Sequence, residues 1–252
     1  MIELTDLTFA YDEADPCVLT GISLTIAKGE WVSVMGANGS GKSTLVMLIL
    51  GLLNGAKGSI RVDRLNPFDP NEVWEVRRKI GMVFQNPDTQ MVSSSVEREI
   101  AFAPENYGMI RELMLRAVDR AMAQFHLTEY RRRSPHELSG GERQRVALAS
   151  GTVMDGDYLI LDEPTALLDP AGRKEFLEFL AQLRGAKGIL YITADATEAL
   201  RSDRLVILHD GKVMADGCPI EILTSNAALW DWGVEVPLEV ELRRLEASGG
   251  RQ

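Results

Sequence analysis

Residues 36–44, with the sequence G-A-N-G-S-G-K-S-T, constrain the fold of this chain more than any other stretch. They follow a β-rich apolar run at residues 31–35 and precede apolar residues that recur at helical spacing. This order predicts a strand, a loop and a helix. The glycines let the loop N–H groups turn inward, the helix start adds partial positive charge, and Lys42 adds a full charge. The pattern predicts a loop that binds a nucleoside triphosphate, with the Ser43 hydroxyl on Mg²⁺.

Length and charge set the class of protein. A chain of 252 residues predicts one large α/β domain with appendages. The net charge of −10 argues against binding nucleic acid or anionic lipid over the whole surface. The basic run at residues 131–133 is typical of a solvated face or a helix end. Cys17 and Cys218 lie far apart without metal-ligand spacing, which predicts neither a disulfide framework nor a zinc site.

The apolar runs are too short to span a bilayer, and the longest begins at residues 45–50. The N-terminus starts directly with the alternating pattern of a half-buried strand rather than with a signal peptide. We therefore expect a cytosolic protein that does not itself cross a membrane.

The first third of the chain also predicts an antiparallel β-layer. Residues 2–10 and 18–27 alternate as strands, and residues 58–62 are expected to join them. Tyr11 ends the first strand. An aromatic side chain there either packs against the layer or stacks on an adenine ring, and the pattern alone favours neither.

A helical pattern runs from Val96 to about Pro135 and predicts an inserted helical subdomain. One apolar face over four turns is formed by Ile110, Leu113, Met114, Ala117, Val118, Ala121, Met122 and Phe125. The segment ends at L-S-G-G-E, where Ser139, Gly140 and Gly141 precede another helix. This second glycine-rich helix start indicates a second anion site. A chain with two such loops either folds both onto one ligand or shares ligands between two copies.

Two carboxylates follow a buried-type strand at residues 158–161, namely Asp162 and Glu163. In an open α/β sheet, ligands bind at the carboxyl ends of the strands. Asp162 is therefore expected to hold Mg²⁺ through water, and Glu163 to polarise an attacking water.

Taken together, these motifs resemble those of the ATP-binding cassette ATPases over nearly the whole chain. The matching stretches are the Walker A motif at 36–44, the Q-loop Gln85, the signature at 138–142, Walker B with its glutamate at 158–163 and the D-loop at 166–169. An unrelated P-loop kinase or GTPase does not account for L-S-G-G-E. The resemblance implies an α/β fold, a P-loop NTPase core with a parallel sheet, an antiparallel β-subdomain and a helical subdomain inserted at about 86–140. The nucleotide-binding domain would span 1–216 and a short extension 217–252.

The resemblance also implies the roles of individual residues, with ATP and Mg²⁺ as cofactors. Glu163, Gln85 and Lys42 are implied in catalysis, and Ser43, Gln85 and Asp162 at Mg²⁺. Nucleotide binding is implied for Tyr11, which would stack on adenine, and for Gly36, Asn38, Gly39, Ser40, Gly41, Lys42, Ser43, Thr44, Ser139, Gly140, Gly141 and Asp169. Family members dimerise head to tail, so that the 139–141 loop of one subunit closes over the γ-phosphate held by the other.

A narrower similarity lies in V-F-Q-N-P-D-T-Q at residues 83–90, which resembles the ATPases of energy-coupling-factor importers of vitamins and of nickel or cobalt ions. In that group, residues 88–90 would lie near a transmembrane coupling subunit, which works with a membrane-embedded substrate-binding subunit. The implied place is the cytoplasmic face of the membrane, without nucleic acid. The tail, which carries L-E-V-E-L-R-R-L, is either a surface helix or a dimer contact.

One departure from the family pattern concerns Ala194. The family has histidine here, in I-T-H-D, where this chain reads I-T-A-D. The missing imidazole normally contacts the γ-phosphate, so we expect ATP binding with weak hydrolysis at this chain's own site. Thr193 and Asp195 are candidates for partial compensation, and both homodimer and heterodimer stay open. The alternative function is a soluble ATP-gated clamp or regulator without a transporter.

Overall fold

The fold is described from a computed structural model, which covers residues 1–12, 14–226, 228–238 and 240. Most of the L-E-V-E-L-R-R-L stretch, at residue 239 and residues 241–245, lies outside the described residues. Of this stretch only Leu238 and Val240 are described, so its predicted helix or dimer contact stays a prediction.

A six-stranded sheet, ordered β5-β6-β7-β3-β8-β9, forms the centre of the fold. Its first five strands in that order are parallel, and β9 pairs antiparallel with β8. Every residue of β3 and β7 is buried, because helices cover both faces of a parallel sheet. The strands are β3 (Trp31–Met35), β5 (Ile80–Val83), β6 (Tyr158–Asp162), β7 (Gly188–Ile192), β8 (Arg204–His209) and β9 (Lys212–Gly217).

The predicted antiparallel layer is a three-stranded sheet, ordered β2-β1-β4. It consists of β1 (Ile2–Phe9), β2 (Leu19–Ile26) and β4 (Lys57–Val62). Ile2 lies opposite both Ile26 and Val62, and all three side chains are buried. They belong to a core shared with the P-loop helix and one face of the central sheet.

Helices pack around these sheets. They are α1 (Lys42–Ile49), α2 (Val73–Lys79), α3 (Pro87–Gln90), α4 (Val96–Asn106), α5 (Arg111–Gln124), α6 (Gly140–Thr152), α7 (Pro170–Ala181), α8 (Ala196–Ala199) and α9 (Pro219–Ser225). Short 3-10 turns occur at Thr128–Tyr130 and Pro135–Glu137. Between β5 and α6 the chain forms only helices, turns and loops, as the pattern predicts. Whether 86–140 is a separate unit stays a prediction.

The apolar face predicted for α5 is only half buried. From Ala117 onward its apolar residues pack against α4 and α6, with Met122 and Phe125 fully buried. Ile110 and Leu113, at the start of the same face, are exposed. Sequence periodicity shows which side chains share a helix face, but not how far the neighbouring helices extend along it.

The extension after β9 packs on the core. Leu229, Val234 and Val240 are buried in one cluster with Met35 of β3 and Ile207 of β8. The predicted boundary at residue 217 falls at the end of β9 and stays a prediction as a domain boundary.

Asp63 ties the antiparallel layer to the central sheet. Its carboxylate accepts hydrogen bonds from Tyr158 Oη (2.7 Å) and Lys79 Nζ (3.2 Å), and Lys28 Nζ lies 3.2 Å away. Burial alone would raise the pKa of Asp63, but hydrogen bonds from the N-terminal amine, Tyr158, Lys79 and Lys28 outweigh it. They hold this pKa well below its usual range.

Because its pKa is depressed in the folded state, Asp63 stabilises the fold above its unfolded pKa of about 4, and this stabilisation is lost as the pH falls towards the folded value. We expect Asp63→Asn to lower the free energy of unfolding by about 1–3 kcal/mol at pH 7, with a smaller difference at pH 3. Urea unfolding at both pH values measures this, with the exposed Asp15→Asn as control. A destabilisation equal at both pH values would contradict the assignment.

Candidate active site at the P-loop

The loop between β3 and α1 depends on glycine at two positions. Gly36 has φ of 149°, and a Cβ there would lie 1.9 Å from the Leu208 carbonyl oxygen. Gly41 has φ of 101°, and a Cβ there would lie 2.6 Å from the Leu19 side chain. Both positions are therefore closed to any larger residue without backbone movement.

Lys42 begins α1 and folds back across the loop. Its Nζ donates to the carbonyl oxygens of Gly36 (2.8 Å) and Ala37 (3.0 Å). Burial lowers the pKa of Lys42, while the charges of Glu163 and Asp162 oppose that shift. The loop therefore presents a desolvated cation beside two carboxylates.

Ser40 is also part of this loop but does not line the pocket described below. Its N–H donates to the Ala37 carbonyl oxygen (3.1 Å), and its side chain is buried. Ser40 thus closes the turn of the loop.

The carboxyl end of β6 brings Asp162 and Glu163 to the loop, and that of β5 brings Gln85. Ser43 Oγ donates to Asp162 Oδ2 (2.9 Å), and Gln85 Nε2 donates to Glu163 Oε2 (3.0 Å). Glu163 has φ of 44°, and its N–H donates to the Ile192 carbonyl oxygen (3.0 Å), which fixes it against the end of β7. Three motifs that lie far apart in the sequence therefore meet at one edge.

The Ser43 and Asp162 oxygens fit a magnesium site. The pKa of Asp162 is raised, because the effect of burial outweighs the Ser43 hydrogen bond and the Lys42 charge, which both lower it. A hydroxyl and a carboxylate are oxygen donors of the kind that Mg²⁺ takes, with water completing its coordination shell. This chemistry suits two of the three predicted ligands. The third, Gln85, donates its amide to Glu163, and its place at Mg²⁺ stays a prediction.

Tyr11 forms one wall of the pocket. Its Oη lies 3.1 Å from Thr44 Oγ1, and its ring packs edge to face on Phe9 with centroids 5.2 Å apart. The side chain is nevertheless 56% exposed. Tyr11 thus packs on its own layer and still presents ring surface to solvent, so the two interpretations of this aromatic are compatible.

A pocket of about 530 Å³ lies between these groups. It is lined by Tyr11, Val18, Asn38, Gly39, Gly41, Lys42, Ser43, Thr44, Gln85 and Glu163. Most of the residues predicted to bind nucleotide therefore line this one pocket.

The signature loop is a different case, since Ser139, Gly140 and Gly141 do not line this pocket. Ser139 caps α6 in a reciprocal pair with Glu142, whose Oε2 accepts from the Ser139 N–H (2.7 Å). A Cβ on Gly140 or Gly141 would meet no described atom outside the helix closer than 3.9 Å. The packing of this chain therefore does not require either glycine.

Asp169 also lies outside the pocket. Its side chain caps α7 by accepting from the Gly172 N–H (2.8 Å). The D-loop carboxylate thus has a structural role within its own chain.

Ala194 is exposed just beyond the end of β7. Its neighbours are already engaged: Thr193 Oγ1 donates to Glu198 Oε2 (2.6 Å), and Asp195 Oδ2 accepts from Arg173 (2.6 Å). Asp195 Oδ1 also caps α8. Both side chains are thus already engaged within the chain, so compensation for the imidazole, which the sequence left open, gains no support from these contacts.

Sequence reasoning missed the polar cluster behind this edge. The buried carboxylate of Glu198 accepts from Thr165 (2.7 Å), Tyr191 (2.8 Å) and Thr193, and Arg173 Nε lies 3.5 Å from it. These residues fix the segments after β6 and β7 relative to α7. No sequence pattern indicated this cluster, because its members lie on separate elements of the fold.

Comparison with known proteins assigns the class. A family model described as "ABC transporter" matches residues 19–166. The chain belongs to this family and is an ATPase of the ABC type, and the predicted fold class is confirmed.

Relatives over nearly the full length narrow the group. The energy-coupling factor transporter ATP-binding protein EcfA1 of Bacillus subtilis (strain 168) is 41% identical over 253 aligned residues, covering 99% of this chain and 90% of that protein. EcfA1 of Latilactobacillus sakei is 43% identical over 245 residues, covering 96% and 87%. Within the family, the chain belongs with the energy-coupling factor transporter ATP-binding proteins.

Solved structures of similar fold also belong to ABC-type ATP-binding proteins. That of cbiO1 from Clostridium perfringens, described as part of the ABC transporter complex cbiONQ, has a TM-score of 0.82 at 30% identity and covers 96% of this chain and 98% of its own. A dimeric, post-hydrolysis structure of the ATP-binding cassette MJ0796 with ADP and Pi has a TM-score of 0.77 at 27% identity, covering 87% and 99%. Within the described part of this chain, no helix is long and apolar enough to cross a membrane.

Proposed function

We propose that this chain is the ATP-binding subunit of an energy-coupling-factor-type importer of a vitamin or a transition-metal ion. The observation that carries the proposal is the convergence of Lys42, Ser43 and the Gln85–Glu163 pair on one pocket. Asp162 lies behind it, hydrogen-bonded to Ser43. The transported substrate would be contacted by a membrane-embedded subunit rather than by this chain.

In this proposal the pocket binds MgATP. Lys42 and the loop N–H groups hold the phosphates, and the exposed ring of Tyr11 stacks on adenine. Ser43 and Asp162 hold Mg²⁺, which neutralises charge on the phosphates when bound. Glu163 orients and polarises the attacking water, and Gln85 fixes the carboxylate of Glu163 through their hydrogen bond.

The signature loop supports a shared site. Since residues 139–141 do not line the pocket of their own chain, they would complete the pocket of a second ATPase subunit, placed head to tail. The cap engages the N–H groups of Ser139 and Glu142, and the unobstructed Gly140 and Gly141 leave the N-terminus of α6 sterically open to a partner's phosphate. ATP then joins the two subunits, and hydrolysis releases them.

Gly141→Ala tests the shared site by separating stability from assembly. Gly141 is helical and unobstructed, so alanine should stabilise the isolated chain by about 0.5–1 kcal/mol through helix propensity. The same methyl group should weaken ATP-driven dimerisation, because it occupies the space of the partner's nucleotide. Urea unfolding without nucleotide and light scattering with MgATP measure the two effects, and unchanged dimerisation would argue against a role for this loop.

A groove beside the Q-loop supports the proposal that this chain binds a membrane subunit. A cavity of about 230 Å³ is lined by aromatic and charged side chains, among them Phe102, Tyr107 and Arg77. Trp74 does not line the cavity itself, but it is 64% exposed and packs edge to face on Tyr107, which does. Exposed aromatic surface beside a concave site is typical of a protein interface, and a helix of a transmembrane subunit is the proposed occupant.

The groove is linked to the pocket through α3. Gln90 lines the cavity, and its Oε1 accepts from the Phe84 N–H (3.2 Å), directly before Gln85. Arg143 of α6 forms an ion pair with Asp88 of α3 (3.2 Å). An occupant of the groove would therefore act on Gln85 through one short helix. This contact favours the transporter over a soluble clamp or regulator.

Copurification with the membrane subunits tests this function. After coexpression, Trp74→Ala and Phe102→Ala should each reduce the amount of chain recovered with those subunits in detergent by about ten-fold or more, the effect expected of a buried aromatic anchor. Met214→Ala, which removes an exposed apolar side chain (41%) on β9, at the sheet edge opposite β5 and outside the groove, is the control. Full recovery of both groove variants, or a wild-type chain that binds MgATP but no membrane subunit, would favour the soluble alternative.

We further infer that hydrolysis at this chain's own P-loop is slow. Position 194 carries only a methyl group, and Thr193 and Asp195 are held by Glu198 and Arg173. In a heterodimer the partner's site would be competent if the partner has its own histidine, whereas in a homodimer neither site would have one.

A further inference from the structure

The segment that follows α9 returns to the P-loop. The Ala37 N–H donates to the Trp232 carbonyl oxygen (3.2 Å). Beside it, Gly233 has φ of +72°, and a Cβ there would lie 2.7 Å from Ala37 Cβ and 3.0 Å from Ala37 Cα. The two backbones are therefore closer than a side chain at position 233 would allow.

This segment is anchored rather than loosely attached. Leu229 and Val234 are buried in the cluster that contains Met35, at the end of β3. The Val234 N–H donates to the Leu229 carbonyl oxygen (2.9 Å), and the Gly233 N–H donates to that of Trp230 (3.0 Å). The turn that presents the Trp232 carbonyl is thus fixed from both sides.

The peptide group between Gly36 and Ala37 connects the segment to Lys42. Its carbonyl oxygen accepts from Lys42 Nζ (2.8 Å), and its N–H donates to Trp232 (3.2 Å). Because a peptide group is planar, its orientation is restrained at both ends. Hydrogen bonds in such a chain also polarise one another.

We propose that residues 229–236 are a positioning element of the nucleotide site. They hold residues 36–37, at the start of the P-loop, and thereby the ammonium of Lys42. The proposal rests on MgATP binding at this loop. It assigns no contact between the segment and nucleotide. Its effect passes through the peptide group of Ala37, so that loosening the segment weakens nucleotide binding.

The test compares two glycines with similar backbone angles. Gly233→Ala places a methyl group against Ala37, whereas Gly108 has φ of +66° with no described atom within 4 Å of its Cβ position. Both substitutions carry the strain of a positive φ. We expect Gly233→Ala to raise the Kd for MgATP by about five- to ten-fold, the size of one disturbed hydrogen bond. Gly108→Ala should change it by less than about two-fold.

A rescue separates positioning from general destabilisation. Ala37→Gly removes the methyl group that Gly233→Ala would meet, so the double variant should bind MgATP within about two-fold of Ala37→Gly alone. Equal affinities of Gly233→Ala and Gly108→Ala, with normal binding by the wild type, would overturn the inference while leaving the proposed function intact. Failure of the wild type to bind MgATP would remove the proposed function itself.

Hydrogen exchange on the wild-type chain gives a reading that needs no variant. Since coupling between sites is reciprocal, MgATP should slow amide exchange in residues 229–236 as well as in the P-loop. If Gly233→Ala does not fold, this measurement decides. Protection confined to the P-loop and its pocket would refute the positioning role.

Discussion

Ala194→His is expected to raise the ATP turnover of this chain by about 10²–10³-fold, the effect of one preorganised contact to the transferring phosphoryl group. The imidazole would extend from the end of β7, beside the backbone that holds Glu163 through Ile192. MgATP affinity should change little. Steady-state phosphate release and equilibrium binding of the same preparations measure the two quantities separately.

Ala194→Phe is the matched control, because it adds a ring without nitrogen atoms. Turnover should stay low in that variant. Rapid turnover by the wild-type chain would refute the inference of slow hydrolysis. If histidine restores nothing while MgATP still binds, the site requires a different partner subunit for its completion, and the heterodimer gains support.

Lys42→Ala is expected to weaken MgATP binding by about 100-fold or more, because two charge-assisted hydrogen bonds to phosphate are lost, at about 1.5–3 kcal/mol each. The side chain is only 6% exposed and bridges two loop carbonyls, so the loop also loses its internal support. Calorimetric titration with MgATP measures the loss.

Lys187→Ala is the control for removing a buried lysine. Lys187 is 8% exposed and donates to the Gly156 carbonyl oxygen (2.5 Å), outside the nucleotide pocket. It should lower stability without changing the Kd for MgATP. A Lys42→Ala chain that bound MgATP as tightly as Lys187→Ala would show that the loop is not the nucleotide site.

The parts of the site that could be predicted from the sequence are those with a local cause. A glycine-rich loop between a strand and a helix, or carboxylates directly after a buried strand, leave their pattern within ten residues. Parallel strands then bring such patterns to one sheet edge, which is why Ser43 and Asp162 meet there.

Contacts between distant segments leave no such pattern. The Glu198 carboxylate and Arg173 belong to separate elements, and the Trp232 carbonyl contacts Ala37 through the backbone alone. A backbone hydrogen bond can be formed by almost any residue, so the sequence gives little sign of it. The exposed start of α5 has a related cause, since Ile110 and Leu113 satisfy the helical pattern without a neighbour to pack against.

The unobstructed glycines at the start of α6 have a consequence for natural and laboratory selection. In the isolated chain, alanine at Gly140 or Gly141 causes no steric clash and has a higher helix propensity than glycine. A screen for thermal stability of this chain alone would therefore enrich variants that are more stable but defective in ATP-driven dimerisation. Only a screen that includes the second subunit and ATP would retain glycine at these positions.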